Sequence, residues 1–542
     1  MTITNELPTG DAGKFDYIIV GGGTAGCVIA SRLSGYLPHK RILVIEGGPS
    51  DVGDTRALVL KDRVHMLGTE LDMRYPSVEQ PMGNSHIIQS RAKILGGCSS
   101  HNDMVSFRTP EYDAYTWEKL GCEGWSFDMF QRVQARLRNT TRAGAHPQDQ
   151  NQLSKDWITS VHKSLGLPYV NNLNHSIDSS GGLTQAVGWT PLSYNPDNGW
   201  RSSASVAYIH PILRGEEKRP NLVILTNAWV SRVNVRGDTA VSVDVATQDG
   251  TKHTVHAGTE IILCAGSIDT PRLMLLSGLG PREQLESVGV PVVKDIPGVG
   301  ENLQDHPCTF VVYDLHDEVP SQTATHSDVL AFLRHKPYNW AGDDGNIPDI
   351  ELHTWQLDWC DEIVRLGYER PKYPFCTMPV LLRPQSKGRV FLQSNDPKDK
   401  PALDFKYFED PDGYDAEILV AGIKAIRKIA EAQPLKSWIK REIAPGPHVT
   451  TDEQLNEYAR AASHTIYHPA CTTKMGDVEK DPLAVVDPRL RVRGMRNLRI
   501  ADAGVFPTMI TVNLMLTVLA VGERAAEMIA EDAGWTGLSA RL

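Results

Sequence analysis

Short apolar runs separated by polar and glycine-rich turns mark the first 50 residues of the chain. Asp16-Tyr17-Ile18-Ile19-Val20 is apolar and β-branched enough to predict a buried parallel strand. Arg41-Ile42-Leu43-Val44-Ile45 predicts a second one, and residues 27–33 between them predict a helix. Strand, helix and strand in this order indicate a βαβ unit of an α/β fold.

Other periodicities appear later in the chain. Residues 350–355 alternate apolar and polar side chains, which predicts a strand of a sheet. Residues 411–432 begin with Pro-Asp-Gly and continue with apolar residues at near-helical spacing, which predicts a helix. Residues 138–156 are rich in Asn, Gln, Thr and Arg and are predicted to form a surface excursion.

The first predicted strand leads into Gly21-Gly22-Gly23-Thr24-Ala25-Gly26, a G-x-G-x-x-G motif. Its first glycine permits a tight turn, its second lets a pyrophosphate approach, and its third lets the helix pack on the strand. Glu46 follows the second strand, 20 residues beyond Gly26, where a carboxylate accepts hydrogen bonds from an adenosine ribose. An acid here disfavours a ribose 2′-phosphate, so NAD or FAD is favoured over NADP.

A second run of small residues, Gly96-Gly97-Cys98-Ser99-Ser100, is followed by His101. Small side chains let a backbone pass close to a large group. Taken alone, the segment favours a tight turn with an incidental histidine.

Several longer sequence segments of this chain also occur, in the same order, in one family of flavoenzymes. They lie at residues 91–100 (RAKILGGCSS), 266–271 with 275–280, and 497–503 with 522–524. The chain resembles the glucose–methanol–choline (GMC) oxidoreductases over residues 16–529, and most closely the choline-oxidising branch of that family. The branch shares the phrases at 201–211, 298–307 and 467–469.

The resemblance implies an α/β fold with a Rossmann-like FAD-binding domain that is discontinuous in sequence, and a substrate-binding domain built on an antiparallel sheet. The FAD-binding domain would take residues 1–160, 202–307 and 466–542, and the substrate-binding domain residues 161–201 and 308–465. The cofactor would be FAD, joined covalently to His101. The implied cofactor-binding residues are Gly21, Gly23, Thr24, Ala25, Gly26, Glu46, Gly96, Gly97, Ser100, His101, Asn102, Val230, Ala265, Asp502, Ala503 and Asn513.

Three residues carry the catalysis that the resemblance implies. His468 matches the family's catalytic histidine and would take the hydroxyl proton; a satisfied buried histidine is the alternative. Asn513 would hold the alcohol oxygen, cap the helix that follows it, or do both. His353 would line the substrate pocket, or else face solvent from its strand.

The implied substrate pocket contains Arg63, Asp103, Cys308, Trp359 and Tyr467. Two of these depart from the choline-binding pattern, because Cys308 stands where a glutamate meets the cation and Arg63 where an aromatic residue lies. Asp103 would supply a new carboxylate. Arg63 and Asp103 could pair with each other or face solvent.

The composition and charge of the chain disfavour several classes of binding partner. The chain has 542 residues, 41% hydrophobic and 22% charged, with a formal charge of −11 that forms no single-sign block. Nucleic acid and anionic membranes are therefore disfavoured as partners, and no apolar stretch is long enough to span a bilayer. The 8 cysteines lack metal-ligand spacing, so no metal is expected.

The two ends of the chain give predictions about the cellular compartment of the protein. No secretory signal precedes the first strand, which predicts an intracellular protein, cytoplasmic or peroxisomal. The final Ala540-Arg541-Leu542 has the form of a peroxisomal address. A homodimer is a further possibility.

The resemblance implies oxidation of a primary alcohol to an aldehyde, with continuation to the acid left open, and reduction of O₂ to H₂O₂. A dehydrogenase that uses another acceptor and a non-redox hydroxynitrile lyase are the alternatives. Choline itself is not supported, because the pocket lacks the expected glutamate and contains Arg63.

Overall fold

The structure is a computed structural model that describes residues 1–8, 10–336 and 346–537. The strands are β1 (Thr2–Thr4), β2 (Phe15–Val20), β3 (Ile42–Ile45), β4 (Tyr75–Pro76), β5 (Ile88–Gln89), β6 (Thr141–Arg142), β7 (Tyr169–Val170), β8 (Ala186–Trp189), β9 (Leu192–Asn195), β10 (Trp200–Arg201), β11 (Leu222–Leu225), β12 (Trp229–Arg236), β13 (Thr239–Ala246), β14 (Lys252–Leu263), β15 (Leu279–Gly280), β16 (Lys294–Asp295), β17 (Glu301–Leu303), β18 (Pro307–Cys308), β19 (Val311–Leu315), β20 (Val329–Leu333), β21 (Ile350–Trp355), β22 (Pro374–Leu381), β23 (Gly388–Phe391), β24 (Ala402–Asp404), β25 (Ile439–Ala444), β26 (His464–Thr465) and β27 (Leu498–Ile500).

Helices connect these strands and cover the sheets. They are α1 (Thr24–Tyr36), α2 (Thr55–Leu58), α3 (Glu111–Lys119), α4 (Phe127–Gln134), α5 (Gln152–Leu165), α6 (His175–Ser180), α7 (His210–Leu213), α8 (Gly266–Leu276), α9 (Arg282–Ser287), α10 (Asp361–Arg365), α11 (Tyr414–Ala430), α12 (Asp452–Ala461) and α13 (Met515–Asp532).

The first large sheet contains the predicted βαβ unit. Strands β1, β11, β3, β2 and β14 run parallel side by side, and β27 adds in parallel to β14. The first half of β14 pairs instead with β13 in an antiparallel meander that ends at β12. Strands β2 and β3 are almost wholly buried because α1, packed against α13, covers them. Their carboxyl ends lead into Gly21 and Glu46.

The second large sheet is mostly antiparallel. Its order is β25-β19-β22-β21-β20-β8-β7, with β18 and β26 beside β22 and one parallel pair, β7–β8. Helix α11 packs on β22 and β21, and α5 packs on α11. The mixed α/β architecture with a separate antiparallel sheet confirms the predicted fold class.

The periodicities in the second half of the chain predicted local structure correctly. Residues 350–355 form β21. The predicted helix of 411–432 is α11, which buries Ile418, Leu419, Ile423 and Ile426 on its apolar face. Ala421 is only half-buried.

Two local predictions were wrong in extent. Helix α1 begins at Thr24 rather than Cys27, because extended Gly23 is its N-cap and the small residues after it are already helical. The polar segment 138–156 is not one surface excursion, since it contains β6 and the start of α5. Asn151 caps α5 by accepting a hydrogen bond from the Ser154 amide at 2.8 Å.

The two sheets draw on separate parts of the chain. Strands of the first lie within residues 2–45, 222–263 and 498–500, and strands of the second within 169–189, 307–381 and 439–465. The predicted boundary at residue 160 runs through α5, which packs on α11 and β20. We therefore propose that the whole of α5 belongs with the second sheet.

Within residues 1–8, 10–336 and 346–537, no helix is both long and apolar enough to cross a membrane. The same residues hold no cluster of three or more His, Cys, Asp or Glu suited to a metal ion. The tripeptide Ala540-Arg541-Leu542 lies outside the described residues.

Candidate active site

One cavity is lined by residues of both large sheets. It brings together most residues that the sequence singled out, from the glycine motif to the predicted substrate pocket. These are Gly21, Gly23, Thr24, Ala25, Glu46, Arg63, Gly97, His101, Asn102, Asp103, Val230, Ala265, His353, Trp359, Tyr467, His468, Asp502, Ala503 and Asn513.

The glycine motif forms one end of this cavity. Gly21 has a φ of +100°, and a Cβ there would lie 2.5 Å from the Cys264 carbonyl oxygen. Gly23 has no such conflict, since an added Cβ would meet nothing closer than 3.7 Å, and it lines the cavity. A side chain at Gly23 would therefore occupy cavity space that a bound nucleotide could use.

Glu46 lies beside this turn, at the carboxyl end of β3. Its carboxylate accepts hydrogen bonds from the Gly22 amide at 2.9 Å and the Gly48 amide at 2.8 Å. Burial raises the pKa of Glu46 to about 7, although both amides and Lys93 favour its charged form. The group faces the cavity with acceptor capacity for ribose hydroxyls.

Three helices point their N-termini at the cavity. Thr24 of α1, Gly266 of α8 and Met515 of α13 all line it. Each N-terminus carries partial positive charge, which favours an anionic group such as a pyrophosphate beside it. Asp502 anchors the start of α8 by accepting a hydrogen bond from the Gly266 amide at 2.9 Å.

The run of small residues near position 100 packs directly on the glycine motif. The Gly96 amide donates to the Gly22 carbonyl at 2.7 Å, and a Cβ on Gly97 would lie 2.7 Å from the Gly23 Cα. A short 3₁₀ turn, Gly97–Ser100, then delivers His101 to the cavity. The close approach explains why glycines occupy this segment.

His101 is a buried imidazole. Its Nε2 lies 3.2 Å from the Ser90 hydroxyl oxygen. Burial lowers the pKa of His101 to about 4, and three nearby guanidinium groups, those of Arg91, Arg201 and Arg63, act in the same direction. The imidazole is therefore neutral at pH 7, with an available nitrogen lone pair.

His468 is held in one orientation by another histidine. His306 Nε2 lies 2.9 Å from the Ile510 carbonyl oxygen and 3.1 Å from the Leu382 carbonyl oxygen. Because carbonyls only accept, this nitrogen carries a hydrogen. Burial lowers the pKa of His306, so the ring is neutral and its Nδ1 is an acceptor.

The tautomer of His468 follows from that of His306. The two Nδ1 atoms are 2.9 Å apart, so His468 Nδ1–H donates to His306. The Nε2 of neutral His468 is then left without a hydrogen and can act as a base. Burial, assisted by His306, Arg91 and His353, holds the pKa of His468 well below 6.5.

Asn513 lines the cavity immediately before α13. The N-cap of α13 is Leu514 and no side chain caps it, so the helix-cap interpretation of Asn513 is wrong. The Asn513 Oδ1 is buried and has no hydrogen-bond partner within the described part of the chain. A buried unpaired amide oxygen is costly, which indicates that a ligand completes it.

His353 is buried in β21 and faces the cavity rather than solvent. Its Nδ1 lies 2.6 Å from Glu351 Oε1. The two residues share one face of the strand because side chains alternate with a period of 2. The carboxylate thus fixes the orientation of the ring.

Four predicted site residues do not line the cavity. Gly26 lies inside α1, where a Cβ would come within 2.0 Å of the Gly21 carbonyl oxygen, so its role is helix–strand packing. Gly96 and Ser100 support the turn, and Ser100 Oγ donates to the Leu95 carbonyl at 2.9 Å. Cys308 is buried in β18 between Val380 and His464, away from the cavity surface.

The structure also adds residues that the sequence reasoning missed. Phe310, Trp355 and His464 line the cavity beside Trp359 and Tyr467. We call these five residues the aromatic wall. The positioning role of His306 was missed as well, although the residue lies inside the phrase at 298–307. Only its contact with His468 identifies the role.

Comparison with known proteins places the chain in a family. The sequence models of the GMC oxidoreductase family match residues 15–308 and 384–522. This chain belongs to the GMC oxidoreductase family. Membership confirms the resemblance, makes the chain an oxidoreductase, and supports FAD as its cofactor. The glycine cradle, Glu46 and the orphaned Asn513 oxygen fit that cofactor.

Individual GMC oxidoreductases match over nearly the full chain. Choline oxidase of Arthrobacter globiformis is 35% identical over 95% of this chain and 94% of its own length. Alcohol dehydrogenase [acceptor] of Pseudomonas putida is 31% identical over 97% and 98%. The crystal structure of pyridoxine 4-oxidase from Mesorbium loti is 26% identical with a TM-score of 0.83, covering 96% of this chain and 99% of that one.

Proposed function

We propose that this GMC oxidoreductase oxidises the CH–OH group of a primary alcohol to an aldehyde and passes the electrons to O₂, which gives H₂O₂. The observation that carries the proposal is the His306–His468 pair, which leaves a basic nitrogen on His468 in a cavity that fits FAD. When bound, FAD supplies the acceptor for the hydride that leaves the carbinol carbon.

His468 Nε2 takes the hydroxyl proton as general base. His306 keeps accepting from His468 Nδ1–H before and after this transfer, so the ring does not have to turn. The Asp305 carboxylate fixes the backbone at this position by accepting from the His468 amide at 2.9 Å. A base held in one orientation avoids the entropic cost of finding it during the reaction.

Asn513 binds the alcohol oxygen as its proton leaves, and His353 lines the substrate pocket from β21. Both side chains line the cavity with His468. Asn513 can donate to the oxygen through Nδ2. His353 Nδ1–H donates to the Glu351 carboxylate, so a neutral His353 ring has an acceptor rather than a donor at Nε2. A donor preplaced for developing negative charge, as Asn513 Nδ2 is, stabilises the transition state more than the ground state.

The oxidase function rests on the similarity to choline oxidase and pyridoxine 4-oxidase. The similarity to an acceptor-dependent alcohol dehydrogenase favours a second candidate, which has the same alcohol chemistry but a non-oxygen acceptor.

The test mixes the yellow holoenzyme with a panel of primary alcohols without oxygen and follows the loss of flavin absorbance. At least one alcohol is expected to bleach the flavin, and admitted O₂ is expected to restore the colour with one equivalent of H₂O₂. Bleaching without reoxidation by O₂ would identify the dehydrogenase. Bleaching by no alcohol, together with cleavage of a hydroxynitrile, would replace the proposal with the lyase.

We further propose that His101 binds FAD covalently. Its neutral, buried imidazole lines the cavity and has the lone pair that such a bond requires. After acid precipitation, the yellow colour is expected to stay with the wild-type protein and to be released from His101→Asn. Exposed His65 supplies the control, since His65→Asn is expected to keep the colour. Colour in the wild-type supernatant would contradict the tether.

A further inference from the structure

One guanidinium group at the far end of the aromatic wall has an unused donor. Arg63 lies in the 3₁₀ segment Leu60–Met66 and is 3% exposed. Its Nε makes an ion pair with Asp103, and its Nη2 donates to the Thr325 carbonyl oxygen at 2.7 Å. Its Nη1 is buried and has no hydrogen-bond partner within residues 1–8, 10–336 and 346–537.

The contacts of Arg63 fix the plane of its guanidinium group. Asp103 and the Thr325 carbonyl bind two edges of the guanidinium group, and the centroid of the Trp355 ring lies 5.3 Å from the Arg63 Cζ. The group cannot turn to satisfy Nη1 without losing one of these contacts. A buried donor that stays unpaired costs about 1–3 kcal/mol, so Nη1 is poised for an acceptor on a ligand.

The charge around Arg63 is positive overall. Asp103 balances the charge of Arg63, but buried Arg201 lies close by. Within the described residues Arg201 donates only to the neutral carbonyls of Ser99 and Asn102, so no carboxylate hydrogen-bonds to it. Burial and the neighbouring Arg63 lower the pKa of Arg201 to about 9. Arg63 also helps to lower the pKa of half-buried His326 to about 4, after burial itself.

The acidic groups of the cavity do not offset this charge for a cationic ligand. Its acidic lining residues are Glu46, Asp103, Asp269 and Asp502. Glu46 belongs to the glycine turn, and Asp269 and Asp502 belong to the start of α8. Asp103 is already paired with Arg63.

The aromatic wall links Arg63 to the catalytic base. Trp355 stands 5.5 Å from Trp359 between ring centroids, Trp359 stands 6.4 Å from His464, and His464 stands 5.6 Å from Tyr467. Tyr467 directly precedes His468 in the sequence. Aromatic rings that meet at an angle or edge to face therefore extend from an unpaired, buried hydrogen-bond donor to the proton acceptor.

We propose that Arg63 is a specificity-determining residue that binds a carboxylate on the alcohol substrate, with a flat apolar spacer between carboxylate and carbinol. The inference rests on the proposed alcohol oxidation. The carboxylate accepts from Nη1, the spacer lies along the aromatic wall, and the carbinol reaches His468. A quaternary ammonium group such as that of choline is disfavoured, since it would meet Arg63, whose neighbouring carboxylate, that of Asp103, is already paired.

Three isosteric alcohols test the proposal on the wild-type holoenzyme: 4-(hydroxymethyl)benzoate, benzyl alcohol and 4-(hydroxymethyl)phenyltrimethylammonium. Anaerobic flavin bleaching gives the limiting rate constant divided by Kd for each. The carboxylate is expected to exceed benzyl alcohol at least tenfold, which is the usual worth of a hydrogen bond to a charged group. The cation is expected to fall below benzyl alcohol. Equal values or a preference for the cation would overturn the proposal.

Variants assign the effect to Arg63. Arg63→Met is expected to bring the ratio of carboxylate to benzyl alcohol close to one. Lys61 lies on the same 3₁₀ segment but is exposed, so Lys61→Met removes the same charge outside the cavity and is expected to keep the ratio. If Lys61→Met lowered the ratio equally, a diffuse field rather than a specific contact would be responsible. If Arg63→Met does not fold, the wild-type ranking of the three alcohols decides.

A non-oxidisable probe separates this proposal from the proposed function. Calorimetric titration of 4-methylbenzoate into the holoenzyme is expected to show binding that weakens at least tenfold in Arg63→Met. Binding without bleaching by any alcohol would keep the carboxylate site and reject alcohol oxidation. Bleaching by benzyl alcohol without preference for a carboxylate would keep alcohol oxidation and reject the site.

Discussion

His468→Ala is expected to slow anaerobic bleaching of the flavin by an alcohol at least about a hundredfold, the usual contribution of a general base. The variant removes the ring that the structure holds through His306 with a basic nitrogen for the cavity. Kd for the alcohol is expected to change much less, because proton removal occurs in the transition state. Stopped-flow absorbance over a range of alcohol concentrations separates the two quantities.

The pH dependence of the same step follows from the depressed pKa of His468. Only the neutral ring can take a proton, and burial together with His306, Arg91 and His353 holds its pKa well below 6.5. The bleaching rate constant of the wild type is therefore expected to be constant from neutral to mildly alkaline pH. It falls on acidification, as His468 becomes protonated.

Exposed His448 provides the matched control for the loss of an imidazole. His448→Ala is expected to bleach at the wild-type rate. An unchanged rate in His468→Ala would remove His468 from the mechanism and leave the proton to another group.

Local sequence signals predicted the cofactor end of the molecule well. Strand β2, the glycine motif and strand β3 all lie within residues 15–45, so apolar runs and glycine spacing contain most of the information needed. The start of α1 was placed too late, because a motif read as a loop already contains its first helical turn. Gly26 belongs both to the motif and to the helix, because a glycine can meet the spacing of the motif and also be helical.

The substrate end was harder to predict because its contacts join residues far apart in the chain. Arg63 meets Asp103 and Thr325, and the sequence alone left pairing and solvent exposure open. In the structure Arg63 and Asp103 form an ion pair. Cys308 was assigned to the pocket by its position directly after a phrase, but its strand pairing places it away from the cavity surface.

Asn513 shows what a phrase match can and cannot supply. The sequence allowed a helix cap or a ligand-binding amide, and both are ordinary roles for asparagine. The orphaned Oδ1 and the cap at Leu514 distinguish them only once the start of α13 is known. The role of His306 was even harder to predict from the sequence. Its tautomer depends on the carbonyls of Leu382 and Ile510, which no local sequence pattern connects to it.

His306→Leu is expected to slow flavin bleaching by at least tenfold while Kd for the alcohol stays within a few-fold. Leucine cannot accept from His468 Nδ1–H, so the His468 ring loses the contact that selects its tautomer. Part of the population then carries its hydrogen on Nε2, where it cannot act as base. A catalytic histidine in the wrong tautomer loses orders of magnitude in rate in other enzymes.

The conservative variant His306→Gln separates this positioning role from a merely structural one. A glutamine amide can donate to the Leu382 and Ile510 carbonyls and accept from His468 through its oxygen, which reproduces the hydrogen-bond pattern of the imidazole. His306→Gln is expected to recover most of the rate that His306→Leu loses. The pH at which the bleaching rate falls is expected to differ between the two variants, because only one keeps an acceptor on the His468 imidazolium. Equal rates and equal pH profiles in both variants would show that His306 fills space without directing the base.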